Sequence, residues 1–209
     1  MAKIFRVSVR AAVTRVVEPV ARGLLNLGVS PNTVTVVGAA GVLVGALGFG
    51  ARGHLVPAAL ITAFFALTDL LDGTMARLRG GSTRFGAFLD SSLDRIADGA
   101  IFGAVAYWLA TRQDRWGLVA ALLCLVTGQV VSYVKARAEG LGMRCDVGLV
   151  ERPERLLTIG VGALLTGAFG VTWGLTATLW VLAVLSLITV GQRVRHVYRQ
   201  AQPAPSSSR

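Results

Sequence analysis

Three long stretches of this chain contain no charged residue, and they constrain its fold more than any other feature. They span residues 30–51, 116–134 and 156–192. A helix needs about 20 apolar residues to cross the roughly 30 Å hydrocarbon core of a membrane. At about 1.5 Å per residue, the third stretch would form a helix of roughly 55 Å, which is long enough for two crossings. Only 15% of the 209 residues are charged, against about 25% in a typical soluble domain. The sequence therefore predicts an all-α integral membrane protein.

The distribution of basic residues predicts the topology. We expect six transmembrane helices, at residues 33–51, 55–78, 86–110, 116–138, 154–170 and 174–198. With both termini in the cytoplasm, the outer loops contain only Arg52, Arg112 and Arg115 of the 21 Lys and Arg residues. Cytoplasmic loops of membrane proteins carry an excess of these residues, so this orientation is favoured. The net charge of +10 is then explained without nucleic acid as a partner.

The two ends of the chain differ from the segment between them. Residues 1–29 are predicted to form an N-terminal interfacial helix and a linker, because arginines alternate with apolar side chains over residues 3–25. Residues 201–209 are rich in Pro and Ser and are predicted to be a disordered tail. With no internal repeat in the sequence, we expect residues 1–200 to form a single membrane domain.

An unusual concentration of acidic residues lies on the second and third predicted crossings. Five of the 11 Asp and Glu residues fall within one 30-residue window: Asp69, Asp72, Asp90, Asp94 and Asp98. Charge-free stretches at 55–68 and 99–111 place them at a similar depth, in the cytoplasmic half of two antiparallel helices. Spacings of three and four residues put Asp69 with Asp72, and Asp90 with Asp94, on one face of each helix. Ionisable residues inside a membrane are costly and mark functional sites, so we expect these acids to form one site.

Four facing carboxylates need a partner to remain ionised. They can share protons, pair with basic residues, or bind cations between them. Oxygen ligands favour Mg²⁺, Mn²⁺ or Ca²⁺ over zinc, and two such ions about 3.5–4 Å apart would form the clamp used in phosphoryl chemistry. The alternative within the fold is a set of ion pairs with Arg77, Arg84 and Arg95. A divalent-cation transporter and a purely structural membrane protein are the alternatives in other classes. Clustering of the acids at one depth argues against a transport path, and a structural role would leave their spacing unexplained.

The same residues form a signature. Asp69, Asp72-Gly73, Ala76-Arg77, Gly86, Asp90 and Asp94 follow the pattern D-x₂-D-G-x₂-A-R-x₈-G-x₃-D-x₃-D. This resembles the CDP-alcohol phosphotransferase family, whose members transfer a phosphatidyl or similar group from a CDP-linked lipid to an alcohol and release CMP. The resemblance implies a metal-dependent phospholipid synthase that uses CDP-diacylglycerol. It also implies a homodimer in the cell (plasma) membrane of a bacterium, with the active site facing the cytoplasm.

The resemblance also implies roles for individual residues. The ligands of two Mg²⁺ (or Mn²⁺) ions would be Asp69, Asp72, Asp90 and Asp94, and Asp94 would also be the catalytic base for the acceptor hydroxyl. The CDP-lipid would contact Asn32, Thr33, Val34, Thr35, Gly73, Arg77 and Thr83. Asp98 lies outside the signature, and we expect it to pair with an arginine.

The acceptor alcohol is indicated by basic residues at the predicted cytoplasmic helix ends. A cationic pocket beside the acids would suit a phosphorylated acceptor, although inner helix ends are commonly basic for topological reasons alone. The stretch from Gln129 to Arg155 resembles the actinobacterial family members that use inositol phosphate. By that resemblance, the residues that bind the acceptor phosphate would be Ser132, Lys135, Arg137, Arg152, Arg155 and Arg195. Glycerol-3-phosphate, which would give phosphatidylglycerophosphate, also carries a phosphate and is the alternative acceptor.

Overall fold

The computed structural model describes residues 16–202, and this part of the chain is helical with no strand. Residues 16–26 form a helix, here α1. The others are α2 (Pro31–Leu43), α3 (Leu55–Ala66), α4 (Thr68–Leu78), α5 (Arg84–Thr111), α6 (Arg115–Gly140), α7 (Arg152–Gly167) and α8 (Gly174–Ala201). A π-helical turn, Val44–Phe49, and a 3₁₀ turn, Gly50–Arg52, extend α2. Most of the predicted interfacial helix and tail, residues 1–15 and 203–209, lies outside the described residues.

The predicted all-α membrane architecture is confirmed for the described residues. Four helical segments there are long and apolar enough to cross a membrane: Pro31–Arg52, Leu55–Leu78, Arg115–Gly140 and Gly174–Ala201. The remaining two predicted crossings correspond to α5, whose first half carries several charges, and to α7, which has 16 residues. The count of six crossings therefore stays a prediction.

Side-chain caps set where several of the helices begin, among them α2, α5 and α7. Ser30 caps α2 by accepting a hydrogen bond from the Thr33 amide, and Pro31 follows in the first turn. Thr83 caps α5 by accepting from the Gly86 amide. A capping box with Glu154 starts α7 at Glu151. Such caps satisfy amides that have no partner within the helix, and they fix the residues that begin α2, α5 and α7.

The long helices form a closed ring. Going round it, α2 packs against α3 and α4, α3 against α7, α7 against α8, α8 against α6, α6 against α5, and α5 against α2. Many buried core residues are small, including Ala97, Ala104, Ala120 and Ala121. Small residues allow helices to approach closely in a membrane, where water does not drive their association. The ring therefore places Arg152 and Arg155 of α7 within reach of aspartates on α4 and α5, although α7 is distant in sequence.

Glycine is required where α2 crosses α3. A β-carbon at Gly41 would overlap the ring of Phe65, and one at Gly38 would overlap the side chain of Thr68. Thr68 directly precedes the first aspartate of the acidic cluster, so this close approach also sets the distance between α2 and that cluster.

We expect Gly41→Ala to destabilise the protein by about 1–3 kcal/mol, the usual range for overpacking a tight contact. Thermal unfolding in a fixed detergent would measure the effect. Gly191→Ala on α8 is the matched control, because a β-carbon there meets no atom within 4 Å. Equal melting temperatures for the two variants would contradict the prediction.

Candidate metal and substrate site

Three aspartates from α4 and α5 converge on one point. One carboxylate oxygen from each of Asp69, Asp72 and Asp90 lies within 4.8 Å of the other two. The donors are all oxygen atoms, with no thiol or imidazole among them, and this donor set suits a hard divalent cation such as Mg²⁺ or Mn²⁺. The residues present therefore fit the metal that the signature implies.

Asp72 is oriented by α2. It is buried, and its Oδ2 atom accepts a hydrogen bond of 2.6 Å from the Thr35 hydroxyl. Thr35 is itself buried on the second turn of α2. The sequence placed Thr35 among the residues that contact the donor lipid, and the structure gives it a direct contact with an aspartate of the cluster.

The fourth aspartate of the signature has a different environment. Asp94 Oδ1 lies 2.7 Å from Arg152 Nη1, and the same nitrogen also contacts Asp69. Arg95 lies 3.8 Å from the other oxygen of Asp94. The structure thus forms a convergent triad of Asp69, Asp72 and Asp90 and leaves Asp94 outside it, and Arg152 pairs with both Asp94 and Asp69 of the triad.

Asp98 is the most deeply buried acid of this region, with 3% of its surface exposed. Its carboxylate lies 2.5 Å from Arg155 Nη2, 3.3 Å from Arg152 Nε and 3.8 Å from Arg95 Nη1. Arg155 is 1% exposed. The expectation that Asp98 pairs with an arginine is confirmed, and it pairs with more than one.

The predicted alternative, ion pairs with arginines near the signature, is seen only for Arg95. Within residues 16–202, no ion pair is found for Arg77 or Arg84, and Arg77 donates instead to the Thr74 hydroxyl at 2.8 Å. Arg152 and Arg155 of α7 form more of the ion pairs with these aspartates than Arg95 does. Their position beside α5 depends on the ring of helices, and no local pattern in the sequence indicates it.

A cavity of about 600 Å³ opens on one side of the triad. It is lined by five of the residues predicted to contact the CDP-lipid, together with two aspartates of the triad: Asn32, Thr35, Gly73, Arg77, Thr83, Asp72 and Asp90. Thr33 and Val34 lie outside this lining. The Thr33 hydroxyl is 2.8 Å from that of Ser30, because the first turn of α2 directs it towards the helix cap.

A second cavity, of about 780 Å³, lies between α5, α6, α7 and α8. Four of the residues predicted to bind an acceptor phosphate line it: Ser132, Lys135, Arg152 and Arg155. Asp90 and Asp94 also line it, and Asp90 is shared with the first cavity. The two cavities therefore lie on either side of Asp90, and the second carries the greater concentration of cationic side chains.

Arg137 and Arg195 are not brought to this cavity. Both are exposed. Each lies two residues beyond a residue that does line the cavity, Lys135 and Arg193 respectively. Two residues correspond to about 200° around a helix, so Arg137 and Arg195 project to the opposite side.

Arg193 also lines this cavity, although it is not among the residues that the resemblance indicates for the acceptor phosphate. It is 2% exposed, and its guanidinium donates to the Val147 and Val131 carbonyls and to the Glu151 carboxylate, at 2.6–3.0 Å. These bonds hold the α6–α7 loop and the start of α7 against α8. In the sequence, Arg193 is the first charged residue after the charge-free stretch 156–192, at the predicted cytoplasmic end of the last helix.

Lys135 also has an internal partner. Its ammonium group lies 2.8 Å from Asp146 in the α6–α7 loop. The hydrogen bond and charge of Lys135 hold the pKa of Asp146, which is exposed, below its ordinary value. This pair is open to water, so it contributes little to stability and leaves the Lys135 ammonium accessible to an anion in the cavity.

The comparisons with known proteins agree on one family. The profile of the CDP-alcohol phosphatidyltransferase family matches residues 28–191. The chain is 49% identical to the phosphatidylinositol phosphate synthase of Mycobacteroides abscessus over 192 residues, covering 90% of this chain and 86% of that one. It is 52% identical to the protein of the same name from Corynebacterium glutamicum over 182 residues, covering 86% and 82%.

Solved structures are similar over nearly the whole fold. The crystal structure of Mycobacterium tuberculosis phosphatidylinositol phosphate synthase with CDP-DAG bound gives a TM-score of 0.86 at 45% identity, covering 91% of this chain and 99% of that one. The structure of that protein in complex with manganese and citrate gives 0.84 at 45% identity, covering 90% and 92%.

Proposed function

The chain belongs to the CDP-alcohol phosphatidyltransferase family, and we propose that it is a phosphatidylinositol phosphate synthase. It transfers the phosphatidyl group of CDP-diacylglycerol to inositol phosphate and releases CMP. One observation carries the assignment: the cavity lined by the CDP-lipid residues and the cavity rich in cationic residues share Asp90 of the triad. A donor and a phosphorylated acceptor could then reach one reaction centre from two sides.

The aspartates are the metal site of the proposed reaction. Asp69, Asp72 and Asp90 supply converging oxygens, and Asp94 completes the set after exchange of its arginine partner. The bound divalent ions, two Mg²⁺ or Mn²⁺, would neutralise the diphosphate and stabilise the leaving phosphate of CMP. The manganese complex of the Mycobacterium tuberculosis relative supports a divalent metal.

The donor is held on the α2–α4 side. Gly73 has no side chain, and a β-carbon there would meet only the Arg77 guanidinium within 4 Å, so the diphosphate can approach the α4 backbone. Arg77 would supply charge to the diphosphate. Asn32, Thr35 and Thr83 line the same cavity and would orient the nucleotide.

The acceptor is held on the α5–α8 side. Lys135, Arg152 and Arg155 would bind its phosphate, and Ser132 would donate a hydrogen bond to it. Asp94 lines that cavity and is the residue placed to accept the proton of the attacking hydroxyl. The hydroxyl oxygen bonds to the phosphatidyl phosphorus, the bond from phosphorus to CMP breaks, and CMP leaves with the electron pair.

The finer features of the architecture follow from the same proposal. We place the protein in a bacterial cell membrane with six crossings, an interfacial N-terminal helix, a single domain over residues 1–200, and the site facing the cytoplasm. The asymmetry of basic residues supports the orientation. Resemblance to the family supports a homodimer.

An acceptor panel tests the proposed function. Purified protein with Mg²⁺ or Mn²⁺ is expected to release CMP from CDP-diacylglycerol with inositol phosphate at least tenfold faster than with free inositol or serine, and faster than with glycerol-3-phosphate. Free inositol and serine carry no phosphate and leave several cavity cations without a partner, and each 1.4 kcal/mol of lost interaction corresponds to a factor of about ten. CMP release would be measured by chromatography. Equal or faster release with glycerol-3-phosphate would reassign the acceptor, and no release with any acceptor would overturn the enzyme assignment.

A further inference from the structure

Arg152 connects the two halves of the proposed site. Its Nη1 atom contacts Asp69 and lies 2.7 Å from Asp94 Oδ1, and its Nε atom lies 3.3 Å from Asp98. It is the first residue of α7, and its side chain is 16% exposed. It also lines the cationic cavity. One guanidinium thus touches three carboxylates from α4 and α5 while facing the space proposed for the acceptor.

These contacts occupy oxygens that the reaction requires. Arg152 pairs with Oδ1 of Asp94, and its positive charge opposes transfer of a proton from an attacking hydroxyl to this carboxylate. Asp69 belongs to the convergent triad, and a guanidinium on its carboxylate repels any divalent cation bound there. The pairing therefore neutralises Asp69 and Asp94, and it opposes both metal binding at Asp69 and proton transfer to Asp94.

We propose that Arg152 is an internal counter-ion that holds Asp69 and Asp94 until the acceptor phosphate draws it away. The reactive arrangement of the aspartates is then completed only when a phosphorylated acceptor is bound. This inference rests on the proposed function and assigns Arg152 a role in selecting the acceptor, beyond that of a phosphate contact.

An acceptor phosphate can replace Asp69 and Asp94 as the partner of Arg152. A phosphate accepts two parallel hydrogen bonds from one guanidinium, as a carboxylate does, and it carries more charge. Lys135 and Arg155 line the same cavity and would hold the phosphate beside Arg152. Arg155 stays paired with buried Asp98 at 2.5 Å, so the start of α7 keeps its position while the side chain of Arg152 turns.

The exchange would discriminate against water and neutral alcohols. Neither carries a charge that competes with Asp69 and Asp94 for the guanidinium. In the hydrolytic side reaction, a water oxygen would bond to the phosphatidyl phosphorus, CMP would leave with the electron pair, and the proton would pass to Asp94. While Arg152 pairs with Asp94, its positive charge opposes that proton transfer, and hydrolysis of CDP-diacylglycerol is slowed.

Binding of Mn²⁺ tests the proposal without relying on activity. Free Mn²⁺ would be measured by electron paramagnetic resonance with the full-length protein in lipid nanodiscs, with and without inositol phosphate. In the unsubstituted protein, inositol phosphate is expected to raise Mn²⁺ affinity on the order of tenfold, a coupling of typical size. Arg152→Gln is expected to bind Mn²⁺ about tenfold more tightly without acceptor, and to gain less than about twofold when it is added.

Arg95→Gln is the matched control. It removes the same charge near the cluster, but Arg95 reaches Asp94 only at 3.8 Å and has no contact with Asp69 within 4 Å. An equal gain in Mn²⁺ affinity in this variant would show that net charge alone controls binding. That result would overturn the inference, as would unchanged Mn²⁺ binding in Arg152→Gln.

Release of CMP without acceptor gives a second readout. Arg152→Gln is expected to hydrolyse CDP-diacylglycerol at least tenfold faster than the unsubstituted protein, while its transfer to inositol phosphate falls. Slower or equal hydrolysis would overturn the inference and leave the proposed function intact. Failure of the proposed function is recognised separately, because the unsubstituted protein would then transfer nothing to inositol phosphate.

Discussion

Asp94→Asn is expected to lower kcat by about 10²–10⁴-fold, the range for removing a general base. An amide at this position keeps the size of the side chain and can still accept from Arg152, so the fold is preserved. It cannot accept the proton of the attacking hydroxyl. Turnover would be measured as CMP release in the presence of CDP-diacylglycerol and inositol phosphate. Binding of CDP-diacylglycerol, measured by equilibrium titration, is expected to persist because Asp94 does not line the donor cavity.

Asp114→Asn is the matched control for this substitution. Asp114 caps α6 by accepting from the Gly117 amide at 2.8 Å, far along the chain from the cluster. Asn caps helices about as well as Asp, so turnover of this variant is expected to match that of the unsubstituted protein. More than a tenth of normal turnover in Asp94→Asn would remove Asp94 as the base. A complete loss of donor binding would indicate a binding role instead.

Asp98→Asn is expected to destabilise the protein by about 3–5 kcal/mol, the usual result of removing one partner of a buried ion pair. Arg155 would then keep its charge with 1% of its surface exposed and without its 2.5 Å carboxylate partner. At about 2–4 °C per kcal/mol for a protein of this size, the melting temperature would fall by about 6–20 °C. Thermal unfolding in detergent, followed by circular dichroism, would measure the shift.

A double-mutant cycle measures the contribution of the Asp98–Arg155 contact to stability separately from that of the surrounding residues. If the Asp98–Arg155 contact is responsible, Asp98→Asn and Arg155→Gln together cost less than the sum of the two single substitutions, because one residue's partner is already lost. Additive effects would show that the contact contributes little. Asp146→Asn, which affects only an exposed pair with Lys135, is expected to change stability by less than about 0.5 kcal/mol.

Much of the acidic cluster was predictable because it is local. Asp69 and Asp72 share one helix, Asp90 and Asp94 share the next, and a short loop makes the two helices antiparallel neighbours. Helical periodicity then fixes the helix face on which these aspartates lie, and the charge-free flanking stretches fix their depth in the membrane. The structure brings Asp69, Asp72 and Asp90 within 4.8 Å, as that reasoning predicts. The same reasoning could not foresee that Asp94 would be occupied by Arg152, 58 residues further along the chain.

The acceptor side was predicted less completely because its residues come from three separate helices. Ser132 and Lys135 lie three residues apart on α6, and both line the cavity. On the last helix, the resemblance indicates Arg195 for the acceptor phosphate, whereas the arginine that lines the cavity is Arg193. The register of α8 against α6 and α7 decides which one points inwards, and that register depends on packing of small side chains around the ring.

The charge-free stretches by themselves determined that this chain is a helical membrane protein, because apolar length and charge position are properties of the sequence alone. The signature likewise determined the family chemistry. The tertiary structure decided how the charges are paired. A buried aspartate takes the arginines that the fold places beside it, and α7 brings Arg152 and Arg155 to α5 only when the ring of helices closes. Which aspartates pair with an arginine is therefore set by contacts between segments that are distant in sequence.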